Sequence, residues 1–242
     1  MKSLLETILS RKLHDPKVVI YKWLDEHDIE NYTVNDKGEI DVDGDVNLSN
    51  CGLTEFPPFI QFGTVKGNFI CNFSGLTTLK GAPKEVSGGF DCSYNKLTSL
   101  EGSPIEVGDR FDCSGNNLRD LKGAPKKVNR SFNCQNNKLT TLEGSPKEVE
   151  GDFKCYNNNL TTLKGAPEKV KGYFHCSFNN LTTLEGAPKK VGDDFYCRYN
   201  HLTSLEGAPK VVRGIFVCKH NKTQFTEEDV KKVCKVGKDI LA

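Results

Sequence analysis

The chain has 242 residues with 33 Lys and Arg against 32 Asp and Glu, a formal charge of +1, and no polybasic tail, so bulk electrostatics do not point to a nucleic-acid or anionic-membrane partner. No stretch approaches the ~20 apolar residues of a membrane helix. Met1 to Leu13 interrupts its apolar clusters with Glu6, Arg11 and Lys12, unlike a secretory signal; the expected compartment is a reducing cytoplasm, where ten cysteines need an explanation other than disulfides.

In chain order, Asp15 followed by Pro16 makes a helix start, with Asp as cap and Pro at the first helical position. Val18, Val19, Tyr21, Trp23 and Leu24 extend it, so a helix is expected over 15–27. Tyr32-Thr33-Val34, a turn at Asn35-Asp36-Lys37-Gly38, and Ile40-Asp41-Val42 predict a hairpin. Asp41, Asp43 and Asp45 resemble half of a calcium loop, but Val46 stands where that loop requires Gly. A solvated hairpin edge accounts for them, and no metal or cofactor is expected. Residues 1–45 are thus expected to form an N-terminal cap of helix and hairpin.

From Cys71 to Cys218 a cysteine recurs every 21 residues. One unit shows the frame: Phe111, Cys113, Asn116, Leu118, Leu121, Gly123, Pro125, Val128. Eight units carry the cysteine. A ninth, altered unit precedes them, with Val46, Leu48, Cys51, Leu53 and Phe56, and two extra residues before Phe69. Phe-x-Cys alternates and predicts a short strand with both side chains inward. Gly-x-Pro forbids helix on the return side, where an extended or polyproline-like path is expected. No unit buries enough alone, so stability requires stacking on neighbours.

At the far end Phe216, Cys218 and Asn221 begin a unit that does not complete its two leucines. Thr226-Glu227-Glu228-Asp229 is a capping-type start before Val230, Val233, Cys234 and a basic run. The division expected is therefore nine repeats over 46–225 and a C-terminal capping helix within 226–242.

The frame resembles the leucine-rich-repeat consensus LxxLxLxxNxLxxL, with Phe, Cys and Asn at the second, third and fourth marked positions. The Leu-x-Gly-Ala-Pro ending is similar to the short bacterial class, whose units end in Leu-Pro-x-Leu-Pro. The resemblance covers about Val46 to Phe225. It implies an α/β repeat solenoid dominated by β, right-handed, with a parallel sheet on the concave face and an extended convex side. It also implies an asparagine ladder through Asn95, Asn116, Asn137, Asn158, Asn179, Asn200 and Asn221, with Cys51 and Ser74 departing from it. The N-terminal part together with the Cys-bearing units resembles repeat proteins of tailed bacteriophages. Bacterial short-repeat effectors in some cases carry a ubiquitin-ligase domain after the solenoid; about 17 residues follow Phe225 here, so none is expected, and Cys234 alone does not replace it.

Chemistry is sparse. Stacked strands lie ~4.7–4.9 Å apart, beyond the ~3.5–4.5 Å between the Cβ atoms of a disulfide, so the cysteine column is read as buried, inert structural thiols. His14, His27, His175, His201 and His220 show neither metal spacing nor a partner nucleophile, and no enzyme activity is expected. Lys80, Glu101, Lys122, Glu143 and Lys164 alternate in sign at equivalent return-side positions, with Glu185 and Glu206 breaking the pattern; register and solubility explain them.

Function is expected in the columns that vary. The residue between Phe and Cys runs Ile70, Asp91, Asp112, Asn133, Lys154, His175, Tyr196, Val217. The residue two after Cys runs Phe73, Tyr94, Gly115, Asn136, Asn157, Phe178, Tyr199, His220. The C-terminal third offers Tyr156, Tyr173, His175, Phe178, Tyr196, Arg198, Tyr199 and His220, the composition of interface hot spots; Ile70 and Phe73, with Asn68, form a smaller patch. The competing explanation is that these aromatics merely stack on one another. The expected partner is a protein, a host protein if the chain is phage-encoded, with nucleic acid and membrane not expected. The alternative is a structural protein of the virion, or self-association through an open solenoid end.

Overall fold

A computed structural model describes residues 16–242; His14 and the expected Asp15 cap lie outside them. The chain winds into a mostly-β parallel solenoid of about ten turns, 21 residues apart, with few helices.

The Phe-x-Cys alternation produces strands as expected. Phe132–Asn133 pairs in register with Phe111–Asp112 on one side and Phe153–Lys154 on the other. Ten such two-residue strands, from Val46–Asn47 to Ile240–Leu241, make one parallel sheet, the Phe ladder. Inside it, rings from Phe69 to Phe216 form an unbroken spine with centroids 5.0 to 5.7 Å apart.

The return side differs from the extended path expected. Gly-x-Pro forms a turn without helix, but the Val that follows enters a second set of parallel strands. Its first sheet has six strands, from β1 (Tyr32–Val34) and β2 (Glu39–Val42) through Gln61–Val65 to Lys127–Val128; a five-stranded sheet from Glu148–Val149 to Lys235–Val236 continues it. We call these the Val ladder. The expectation fell short because from Glu85–Val86 onward each strand is only two residues long, exposed then buried for most rungs. One buried Val carries no period of its own, yet the backbone N–H groups beside it pair with the turn before: the Lys126 N–H donates to the Ile105 carbonyl, 2.9 Å. Glycine is required where the return path tightens. Gly144 has φ +98, and a Cβ there would lie 2.3 Å from the Leu121 carbonyl oxygen of the turn before.

The asparagine ladder is present. Asn137 Nδ2 donates to the Cys113 and Cys134 carbonyls at 3.0 and 3.2 Å, while its Oδ1 accepts the Leu118 N–H at 3.0 Å. The same pattern repeats from Asn95 to Asn221. Ser74 preserves one rung, its hydroxyl donating to the Leu48 carbonyl at 2.9 Å; Cys51 is exposed and turns back to the Ser49 carbonyl at 3.6 Å. The cysteines of the array are free and buried. Several thiols donate to the next turn's carbonyl, as Cys134 does to Lys154 at 3.3 Å, and burial raises their pKa values.

The first helix, α1 (Pro16–Glu26), places Ile20, Trp23 and Leu24 at helical spacing, and all three join the core. Trp23 meets Phe62 edge-on at 6.3 Å. It ends in a Schellman motif, with Asp28 at φ 52 and the Ile29 N–H reaching the Leu24 carbonyl. The hairpin pairs Tyr32 with Val42. Asp41, Asp43 and Asp45 each serve the next turn, taking the Thr64 N–H, the Lys66 ammonium and the Asn68 N–H. Among the described residues no group of three or more His, Cys, Asp or Glu is placed to hold a metal.

At the other end α2 (Glu227–Val233) has the expected capping box between Thr226 and Asp229. Beyond it Lys235–Val236 and Ile240–Leu241 add one strand to each ladder, an irregular turn that 21-residue spacing does not reveal. Of the alternating return-side charges, Lys164 pairs with Glu143 at 3.6 Å. Lys127–Glu106 and Lys169–Glu148 bridge turns on the Val ladder at 3.8 Å; such exposed pairs contribute little each. No helix among the described residues is long and apolar enough to cross a membrane.

Candidate functional site

Three columns rise from each Phe-ladder strand and the turn after it. The residue between Phe and Cys points away from the core, as does the one after Cys. The residue two after Cys then adopts positive φ, between 52° and 66° from Phe73 to His220. This left-handed region suits Gly and Asn, and Gly115, Asn136 and Asn157 hold it in the middle turns. At both ends it is held instead by Phe73, Tyr94, Phe178, Tyr199 and His220. Bulky residues seldom adopt it, and such outliers collect at functional sites.

The structure sorts the candidates into three groups. Phe178, Tyr199 and His220 form one continuous stack, with centroids 4.6 and 4.5 Å apart and planes within 15°. Arg198 lies 5.9 Å from the Tyr199 ring. Beside this stack, Tyr156, His175, Tyr196 and Tyr173 form a chain of tilted rings, at 4.5, 5.0 and 6.1 Å in succession. Phe73 is separate, five turns of sequence from Phe178, and stacks on Tyr94 at 4.5 Å. Ile70 sits in the strand before Phe73 and pairs in register with Asp91, with no ring contact. The candidates thus stack on one another, as the competing explanation required, yet Phe73, Phe178 and Tyr199 keep 42 to 54% of their surface exposed.

Sequence reasoning left out three participants. Tyr94 extends the Phe73 stack and leans over Gly115, whose absent Cβ leaves room for the ring. Lys154 places its ammonium 5.4 Å from the Tyr173 ring centre, a cation–π contact. Asp194 accepts the Tyr196 hydroxyl at 2.6 Å, and that bond, helped by burial, pushes the phenol pKa up to about 12. Lys154 and Tyr94 already stood in the varying columns; the Asp194 contact needed the corner geometry that precedes Phe195.

His175 is the least satisfied residue of the group. Asp91 and Asp112, which hold the same place in earlier turns, accept both the N–H and the hydroxyl of a serine two residues on. His175 does not, so the fully buried Ser177 hydroxyl and the His175 Nε2 both lack a hydrogen-bond partner. Burial, then the charges of Arg198 and Lys154, lower the imidazole pKa to about 4. The ring is a neutral, polarisable wall between Tyr156 and Tyr196. His27 bonds to the Trp23 carbonyl through Nδ1, and His201 and His220 are exposed. No protein-family model matches the chain, and no curated protein matches its sequence.

Proposed function

We propose that the chain is a leucine-rich-repeat-type solenoid acting as a non-enzymatic binding module, and that a protein partner docks on the C-terminal third of the Phe-ladder face. The observation carrying this reading is the pairing of two aromatic arrays over adjacent turns, one held at positive φ and exposed. Stability does not call for these side chains, since Asn and Gly fill the same column at lower backbone cost in the middle turns. Stacked rings have already lost their rotamer freedom, so docking on them costs less entropy than docking on mobile side chains. The unpaired Ser177 hydroxyl and His175 nitrogen point the same way, because local conflicts gather where function competes with folding. The resemblance to bacteriophage repeat proteins suggests a bacterial host protein as partner, in a defence system the phage must antagonise.

Affinity capture from host lysate tests this. Wild-type protein is expected to retain a specific protein that Tyr196→Ala plus Tyr199→Ala releases, with the variant's Tm within a few degrees of wild type. Equal capture by both proteins would exclude this face.

A further inference from the structure

The near-zero net charge conceals a segregation of sign. Residues 16–121 hold nine Lys and Arg against 17 Asp and Glu, whereas residues 122–242 hold 21 against 13. The two halves therefore carry −8 and +8. Their centres lie roughly 20–25 Å apart at ~4.8 Å per turn, more than twice the ~8 Å Debye length at physiological salt, so a partner meets them as separate charges.

The Val ladder carries much of this gradient on its outer side. Its first rungs belong to the hairpin, with Glu39 and Asp41 on β2 and Asp36 and Asp43 beside it. Its last rungs bear lysines: the Lys210 N–H donates to the Lys189 carbonyl and the Lys235 N–H to the Lys210 carbonyl, so three cations stand on consecutive rungs. Lys126, Lys147, Lys189, Lys190, Lys210 and Lys235 are exposed, and among the described residues none is in an ion pair. Like charges stacked this way oppose folding.

Between the acidic and basic ends stands Ile105. Its rung bonds to Lys84 before it and Lys126 after it, and the side chain is 57% exposed, the most exposed of the large apolar residues described. It lines a recess of about 450 Å³ together with Gly81, Ala82, Pro83 and Gly102 and the charged Lys80, Lys84 and Glu101. A face that is acidic at one end and basic at the other, with an exposed apolar side chain beside the Glu106–Lys127 pair between them, is complementary to itself under a two-fold rotation about its middle.

We infer that a second copy of this chain docks antiparallel on the outer side of the Val ladder, with Ile105 near the two-fold axis and reaching into the partner copy's recess. Counting rungs outward from Ile105, Glu85 faces Lys126 and Lys127 of the other copy, and the hairpin's acids face Lys169, Lys171 and Lys190. Glu85, Asp41, Lys126 and Lys190 are in no ion pair among the described residues, while the others exchange exposed pairs within one copy for pairs between copies. Nine rungs span roughly 40 Å, and a strip ~20 Å wide covers ~800 Å² per copy, the size of a standard specific interface. A foreign polyanion would match only the basic half and leave the acidic half unpaired. This interface is distinct from the aromatic face and does not depend on it.

Sedimentation equilibrium at low and high salt tests the pairing, alongside Ile105→Glu, Lys126→Glu plus Lys190→Glu, and Ile105→Cys in a Cys51→Ser background. The wild type is expected to dimerise at micromolar concentration, with added salt and either charge-introducing variant weakening it about tenfold or more at unchanged Tm. The Ile105→Cys protein is expected to cross-link to itself on mild oxidation, since only a residue near its own symmetry axis meets its twin. A wild type that stays monomeric at low salt overturns the inference. So does a dimer indifferent to all these changes, or lysine rungs that bind a DNA duplex as a monomer.

Discussion

Three rungs of the Phe ladder show what a single side chain does between Phe and Cys. Asp91 and Asp112 tie down Ser93 and Ser114, whereas His175 leaves Ser177 without an acceptor. His175→Asp is therefore expected to restore the serine bond and place a carboxylate near Arg198 and Lys154, raising stability by about 1 kcal/mol at neutral pH in chemical denaturation. The pH dependence has a definite sign. His175 stays neutral in the folded protein down to about pH 4, while the unfolded chain takes the proton near its ordinary value of 6.5. Acidification through that window favours the unfolded state, so wild-type stability should fall between pH 6.5 and 4. The Asp variant should lose that part of the slope, and an identical pH profile would show that His175 is not held neutral by its surroundings.

At the scale of the element, the asparagine ladder fastens each turn to the one before it. Asn158 donates to the Cys134 and Cys155 carbonyls and accepts the Leu139 N–H. Asn158→Ala strands these buried groups and is expected to cost roughly 2–4 kcal/mol in equilibrium unfolding, whereas removing the exposed Lys164–Glu143 pair should cost under ~1 kcal/mol. This ladder and the Phe spine were legible in the sequence because they recur at one fixed offset, with inward Phe, Cys, Asn and Leu scarcely changing. The Val ladder was not, since Val128 or Val149 marks a buried point but not a strand, and its pairing rests on backbone groups that any residue supplies. The strand pair after α2 was hidden for a related reason: Ile240 occupies a Phe position only once the helix has lengthened the turn.

For the whole molecule, the repeat separates scaffold from surface. The aromatic columns could be located from sequence by their variation, yet variation alone could not reveal which rings stack, that one column lies at positive φ, or that Tyr94 belongs with Phe73. Those properties depend on neighbouring turns placing side chains one strand spacing apart. The charge gradient was in the composition all along but cancels when the chain is summed, and it takes the ladder to show that its acidic and basic ends share a face. With the partner purified, titration calorimetry against wild type and against Tyr196→Ala plus Tyr199→Ala tests most directly whether the C-terminal aromatic arrays bind it. A loss of about 30-fold or more in affinity at unchanged fold is predicted, the ~2 kcal/mol of a hot spot; equal affinity for the two proteins would contradict the account.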